Sequence, residues 1–71
     1  MENIKNTQKI MDIVLGNNGF TKNLENRWIK DDTIVNLFED MISVETKYER
    51  REFRAERANI AFGEAAKYME I

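Results

Sequence analysis

The chain has 71 residues, enough for one domain at most and close to the lower limit at which a hydrophobic core sustains folding unaided. Cysteine and histidine are both absent, which excludes disulfides, thiolate chemistry and the usual zinc ligands, and no apolar run approaches the ~18 residues of a membrane span. With 42% hydrophobic and 34% charged residues and a net charge of −2, the composition fits an ordered, helix-rich chain and is a poor match for a general nucleic-acid binder.

The charge is unevenly spread. Residues 1–30 are net basic, residues 31–44 carry four acidic side chains and no basic one, and residues 45–71 balance to zero. Residues 1–15 are too polar for a signal peptide, so the expected location is the cytoplasm, with no membrane contact. Abundant Asn, Ile, Lys and Glu, with no Pro, Cys or His, is a bias found in AT-rich bacterial or phage genes.

In chain order, Ile4, Ile10, Met11, Val14 and Leu15 cluster on one side of a helical projection. The spacing predicts a helix over about residues 3–15, stopped by Gly16 as its C-terminal cap. The competing reading is a hairpin, since residues 10–15 are nearly an apolar run and Asn17-Asn18-Gly19 is turn chemistry, but the flanks lack strand formers. Thr21 is placed to cap a short second helix ending near Ile29, in which Phe20, Leu24 and Trp28 recur every four residues.

Residues 32–71 read as one long helix, begun by Asp31 or Asp32 at its positive end. Apolar residues alternate at spacings of three and four: Ile34, Leu37, Met41, Val44, Tyr48, then Ala55, Ala58, Phe62, Ala65 and Met69, with Arg51 as the single fault. At about 1.5 Å per residue such a helix is roughly twice as long as a compact domain of this size is broad. The expected fold is therefore all-α. Residues 1–44 form a three-helix head, where Trp28, Phe20, Leu24, Met11 and Val14 meet Ile34, Leu37, Phe38, Met41 and Ile42. Residues 45–71 form an extended half that dimerises as a coiled coil through Tyr48, Ala55, Ala58, Phe62, Ala65 and Met69. Gly63 either ends the long helix or admits another backbone closely.

On that helix Glu45, Glu49, Glu52 and Glu56 form an acidic stripe opposite Lys47, Arg50, Arg51, Arg54 and Arg57. Pairs four apart are like-charged, so the stripes call for partners outside their own helix. Stacked carboxylates at Glu49 and Glu52 suit Mg²⁺ chemistry only weakly, because charged helices produce that spacing by chance. A nucleophile would have to come from Ser43, Thr7, Thr21, Thr33, Thr46, a lysine or a carboxylate, and none has a base and an orienting group nearby in sequence. The expectation is a non-enzyme with no metal and no cofactor.

The first helix, the turn and the second helix resemble a helix-turn-helix only superficially. The turn is loose, and Asp12 stands where a small apolar residue belongs. Phe53 and Ile60, seven apart and bordered by Arg50, Arg54 and Arg57, have the composition of an interface hot spot. The sequence thus leads to a small homodimeric adaptor or inhibitor that docks on a larger protein, of the kind phages and mobile elements encode. The alternative is a small dimeric DNA-binding regulator using the basic stripe.

Overall fold

The structure, a computed structural model, describes residues 4–71. Helix α1 (Ile4–Asn17) is followed by five strands: β1 (Thr21–Leu24), β2 (Arg27–Lys30), β3 (Thr33–Leu37), β4 (Ile42–Glu45) and β5 (Arg50–Phe53). Helix α2 (Ala58–Met69) completes the chain. All neighbouring strands are antiparallel and lie in sequence order, an uninterrupted meander. The fold is α+β, which corrects the all-α expectation.

Residues 32–71 form no single helix: three strands occupy residues 33–53, and along β3 the burial alternates with period two. Val35 and Leu37 on β3 and Ile42 and Val44 on β4 are buried on one face, beside Trp28 on β2. Ile34 and Leu37 belong to one helical stripe, yet on a strand they point to opposite faces. The β-branched residues Thr33, Ile34 and Val35 fit this pleated surface better than a helix. Among the described residues there is no coiled-coil seam, and they span 29 × 22 × 20 Å. The division into a head at 1–44 and an extended half at 45–71 loses its basis, since β4 pairs with β5 across that boundary.

The turns use little glycine. Lys30 pairs with Thr33, leaving Asp31-Asp32 as a two-residue loop in which Asp31 takes a positive φ of 52°, a conformation that Asp tolerates better than most side chains. Those aspartates close a hairpin; they cap no helix. Between β3 and β4 the Phe38 N–H donates to the Met41 carbonyl, and between β4 and β5 the Thr46 N–H donates to that of Glu49. The Thr46 hydroxyl accepts from the N–H groups of Tyr48 and Glu49, which stiffens the second turn.

Helix α1 forms where the spacing places it, although the expected first residue, Asn3, lies outside the described residues. Its end differs. Gly16 is helical, and the glycine that stops the helix is Gly19, at φ 89°. The Phe20 N–H donates to the Leu15 carbonyl and the Gly19 N–H to that of Gly16, the two bonds of a Schellman ending. Leu15 and Phe20 meet in the core, as that motif favours. The chain then enters β1, where a second helix was expected from Thr21. α2 keeps the predicted apolar stripe: Ala58, Phe62 and Ala65 are buried and Met69 packs on the core, all within one chain. Gly63 sits inside α2 with nothing within 4 Å of the place a Cβ would occupy, so it neither ends the helix nor admits another backbone.

Both helices cover the same face of the sheet. The Trp28 indole N–H donates to Asp12 Oδ1 at 2.9 Å, which pins α1 to β2. Gln8 Nε2 reaches the Glu25 carbonyl and Asn26 Oδ1, both at 2.7 Å, and ties α1 to the β1–β2 turn. Among the described residues, no helix is long and apolar enough to cross a membrane.

Candidate protein-binding surface

With both helices on one side, no element among the described residues packs against the other face of the sheet. Register places Leu24, Arg27, Asn36, Ser43 and Glu52 in one row across that face, and Ile29, Ile34, Glu45 and Arg50 in the next. Asn36 Nδ2 lies 3.3 Å from Ser43 Oγ and 3.4 Å from Glu45 Oε2, and Ser43 is fully buried beneath its neighbours. The Asn36 amide thus joins the buried Ser43 hydroxyl to the Glu45 carboxylate within this face.

At the end bearing the β1–β2 turn, Leu24, Asn26, Arg27, Asn36, Leu37 and Phe38 line a shallow groove of about 280 Å³. Leu24 is 61% exposed and Phe38 42%. The head expected both of them in its core; they stand at the surface because β1 is wholly exposed and Phe38 opens the β3–β4 loop. The Arg27 Nε is buried with no hydrogen-bond partner among the described residues. Buried unpaired donors are uncommon in folded proteins, and each calls for an explanation.

The opposite end carries two adjoining shallow clefts of about 400 and 580 Å³, which share Asp31, Thr33, Thr46 and Tyr68 in their walls. The Tyr68 hydroxyl donates to Glu49 Oε2 at 2.8 Å, and this carboxylate raises the phenol above its usual pKa of 10.0. Such a tyrosine stays protonated, the reverse of an activated phenolate. Among the described residues, no group of three or more carboxylates is arranged to hold a metal.

The residues predicted as a partner-binding edge are divided by the strand. Phe53 lies on the helix-covered face, half-buried, its ring centroid 5.6 Å from that of Tyr68. The Arg51 guanidinium sits 4.8 Å from the Tyr68 centroid, a cation–π contact. Arg50 and Arg54 belong to the uncovered face. There Arg50 pairs with Glu45 and Glu52, and Arg54 pairs with Glu52 and Asp40, each at 3.1 Å. Arg50 and then Arg54 hold the Glu52 carboxyl below its usual value, and Glu52 and Asp40 hold Arg54 above its own. Ile60, 49% exposed, is on α2, and Arg57 immediately precedes that helix.

The acidic and basic stripes are dispersed in the same way, so Lys47, Arg50, Arg51, Arg54 and Arg57 share no single face. Of the predicted dimer seam, Ala58, Phe62, Ala65 and Met69 are used by the chain's own core, Ala55 is half-buried against it, and Tyr48 is a turn tip at 87% exposure. The groove at Leu24, Arg27 and Phe38 was missed. Only a hairpin turning at residues 25–26 would have pointed to it: alternation sets Arg27 on the face opposite Trp28, and pairing with Arg27 brings Leu24 to that face. No family model matches the chain, and searches of curated proteins and of solved structures find no match.

Proposed function

We propose that the protein is a small non-enzymatic adaptor or inhibitor that acts in the cytoplasm by docking on a larger protein through the uncovered sheet face. The observation that carries this reading is the groove in which two exposed apolar side chains, Leu24 and Phe38, flank an arginine with a desolvated, unpaired Nε. Arginine beside an aromatic ring, in a shallow groove rimmed by polar groups, is the composition of interface anchors. A carbonyl or carboxylate from a partner would supply the acceptor Arg27 lacks, while the partner's apolar groups would cover Leu24 and Phe38.

Affinity capture with immobilised protein tests the reading. A protein retained by the wild type should be lost with Phe38→Ala and with Arg27→Ala, each weakening binding by about 2 kcal/mol or more. It should be kept with Tyr48→Ala, a control at the far end of the sheet. Identical capture by wild type and Phe38→Ala would sink the proposal.

A further inference from the structure

Among the described residues the meander leaves two strand edges free, and they differ. The β1 edge is interrupted by an irregularity between Lys22 and Leu24, a feature that discourages pairing with another chain. The β5 edge is regular, with four consecutive residues in unbroken register on β4. The bond from the Thr46 N–H to the Glu49 carbonyl fixes which backbone groups face outward. Hydrogen-bonded pairs alternate from that turn, so Arg51 and Phe53 bond toward β4 while Arg50 and Glu52 present their N–H and C=O groups to the free edge.

We infer that this edge is a self-association site, at which a second copy of the chain pairs antiparallel to β5 about a two-fold axis at Phe53. The reason is a charge pattern. Residues 50–56 read Arg-Arg-Glu-Phe-Arg-Ala-Glu. Centred on Phe53, the two-fold sets Glu52 of each chain opposite Arg54 of the other and Arg51 opposite Ala55. Arg50 falls opposite Glu56, at the point where the chain bends away toward α2. The two Phe53 rings come side by side in a pair without backbone hydrogen bonds, where side chains approach most closely.

Two-fold pairing in a continuous sheet must keep like faces together, so only registers shifted by whole residues of the centre are allowed. A centre at Glu52 opposes Glu52 to Glu52 and Arg50 to Arg54. A centre at Arg51 opposes Arg51 to Arg51. A centre at Arg54 opposes Arg54 to Arg54 and Glu52 to Glu56. Of the centres from Arg50 to Arg54, Phe53 alone opposes no like charges; a centre further on, at Ala55, would carry the pairing past the end of β5. Charged edge strands ordinarily repel other strands; this one repels itself in every neighbouring register and fits itself in one. The site is separate from the groove at Phe38 and stands or falls independently of it.

The test uses charge reversal at two exposed residues. Sedimentation equilibrium of the wild type at high micromolar concentration should show a species of twice 8.4 kDa. Glu52→Arg opposes arginine to arginine and Arg54→Glu opposes glutamate to glutamate, so each variant alone should associate at least roughly tenfold more weakly. Mixed in equal amounts the two variants should recover the dimer, since each then meets its opposite. Far-UV circular dichroism matching the wild type shows that the variants remain folded. As a check of register, oxidised Phe53→Cys, the only thiol in its chain, should give a covalent dimer. A wild type that is monomeric across the range overturns the inference. So does a dimer that survives either single reversal, or a mixture of the two variants that stays monomeric.

Discussion

Glu52 lies between the guanidinium groups of Arg50 and Arg54, and its carboxyl is held below the usual 4.5. A folded-state pKa below the unfolded one means that the charged form stabilises the fold. That contribution is fully present above about pH 4.5 and is lost as the pH falls through the lowered value. Glu52→Gln should therefore melt below the wild type at neutral pH, and the difference should close in acid. The effect is small because both partners are solvent-exposed. A gap that persists at the acid end, measured by thermal melts across the range, would show that the ion pair is not its source. Gly63 gives a second residue-scale expectation. It is exposed, helical and faces open space, so Gly63→Ala should stabilise the protein by about 1 kcal/mol in urea unfolding.

The elements were unequally legible in the sequence, for physical reasons. α1 and the apolar stripe of α2 were readable because a helix's periodicity is written in its own residues. The four hairpins were not, because each is closed by side chains that also suit helices. Phe38-Glu39-Asp40-Met41 and Thr46-Lys47-Tyr48-Glu49 contain neither glycine nor proline, and Asp31-Asp32 serves as well for a helix cap as for a tight loop. Short strands of four or five residues also sample a period of two too briefly to exclude a three-and-four pattern. The candidate surface was hidden by the same mistake, since a face of a sheet cannot be read off a helical projection. Asp12 shows what the local reading lacked. It looks like a misplaced charge on α1, yet it accepts the Trp28 indole N–H and faces Lys22 Nζ at 3.3 Å. Asp12→Ala should leave that buried donor without a partner and cost about 1–3 kcal/mol, whereas Asp12→Asn retains an acceptor and should cost less. Tryptophan fluorescence during urea unfolding reports both; equal stability of the two variants would mean that the bond contributes nothing.

For the whole molecule, the decisive change is where the apolar stripe of α2 goes. In a coiled coil, Phe62 would face a second chain, and its loss would separate two protomers that remain folded. In the structure Phe62 is 5% exposed and belongs to the cluster that joins both helices to the sheet, with Met11, Trp28, Val35 and Val44 among its members. Truncating a buried phenylalanine costs about 3–5 kcal/mol. A small domain rarely has more than about 5 kcal/mol in reserve, because so much of its surface stays wet. Phe62→Ala should therefore remove most of the folding free energy, and Phe62→Asp should abolish the fold outright, since a carboxylate in that cluster has no compensating partner. The exposed charges of the β5 edge, Glu52 and Arg54, lie outside this cluster, so the loss should be the same in Glu52→Arg, where self-association is weakened, as in the wild-type background. Thermal melts followed by far-UV circular dichroism decide the matter. A Phe62→Ala protein that keeps a cooperative transition near the wild-type temperature, and changes only in its mass, would return the stripe to an interface between chains.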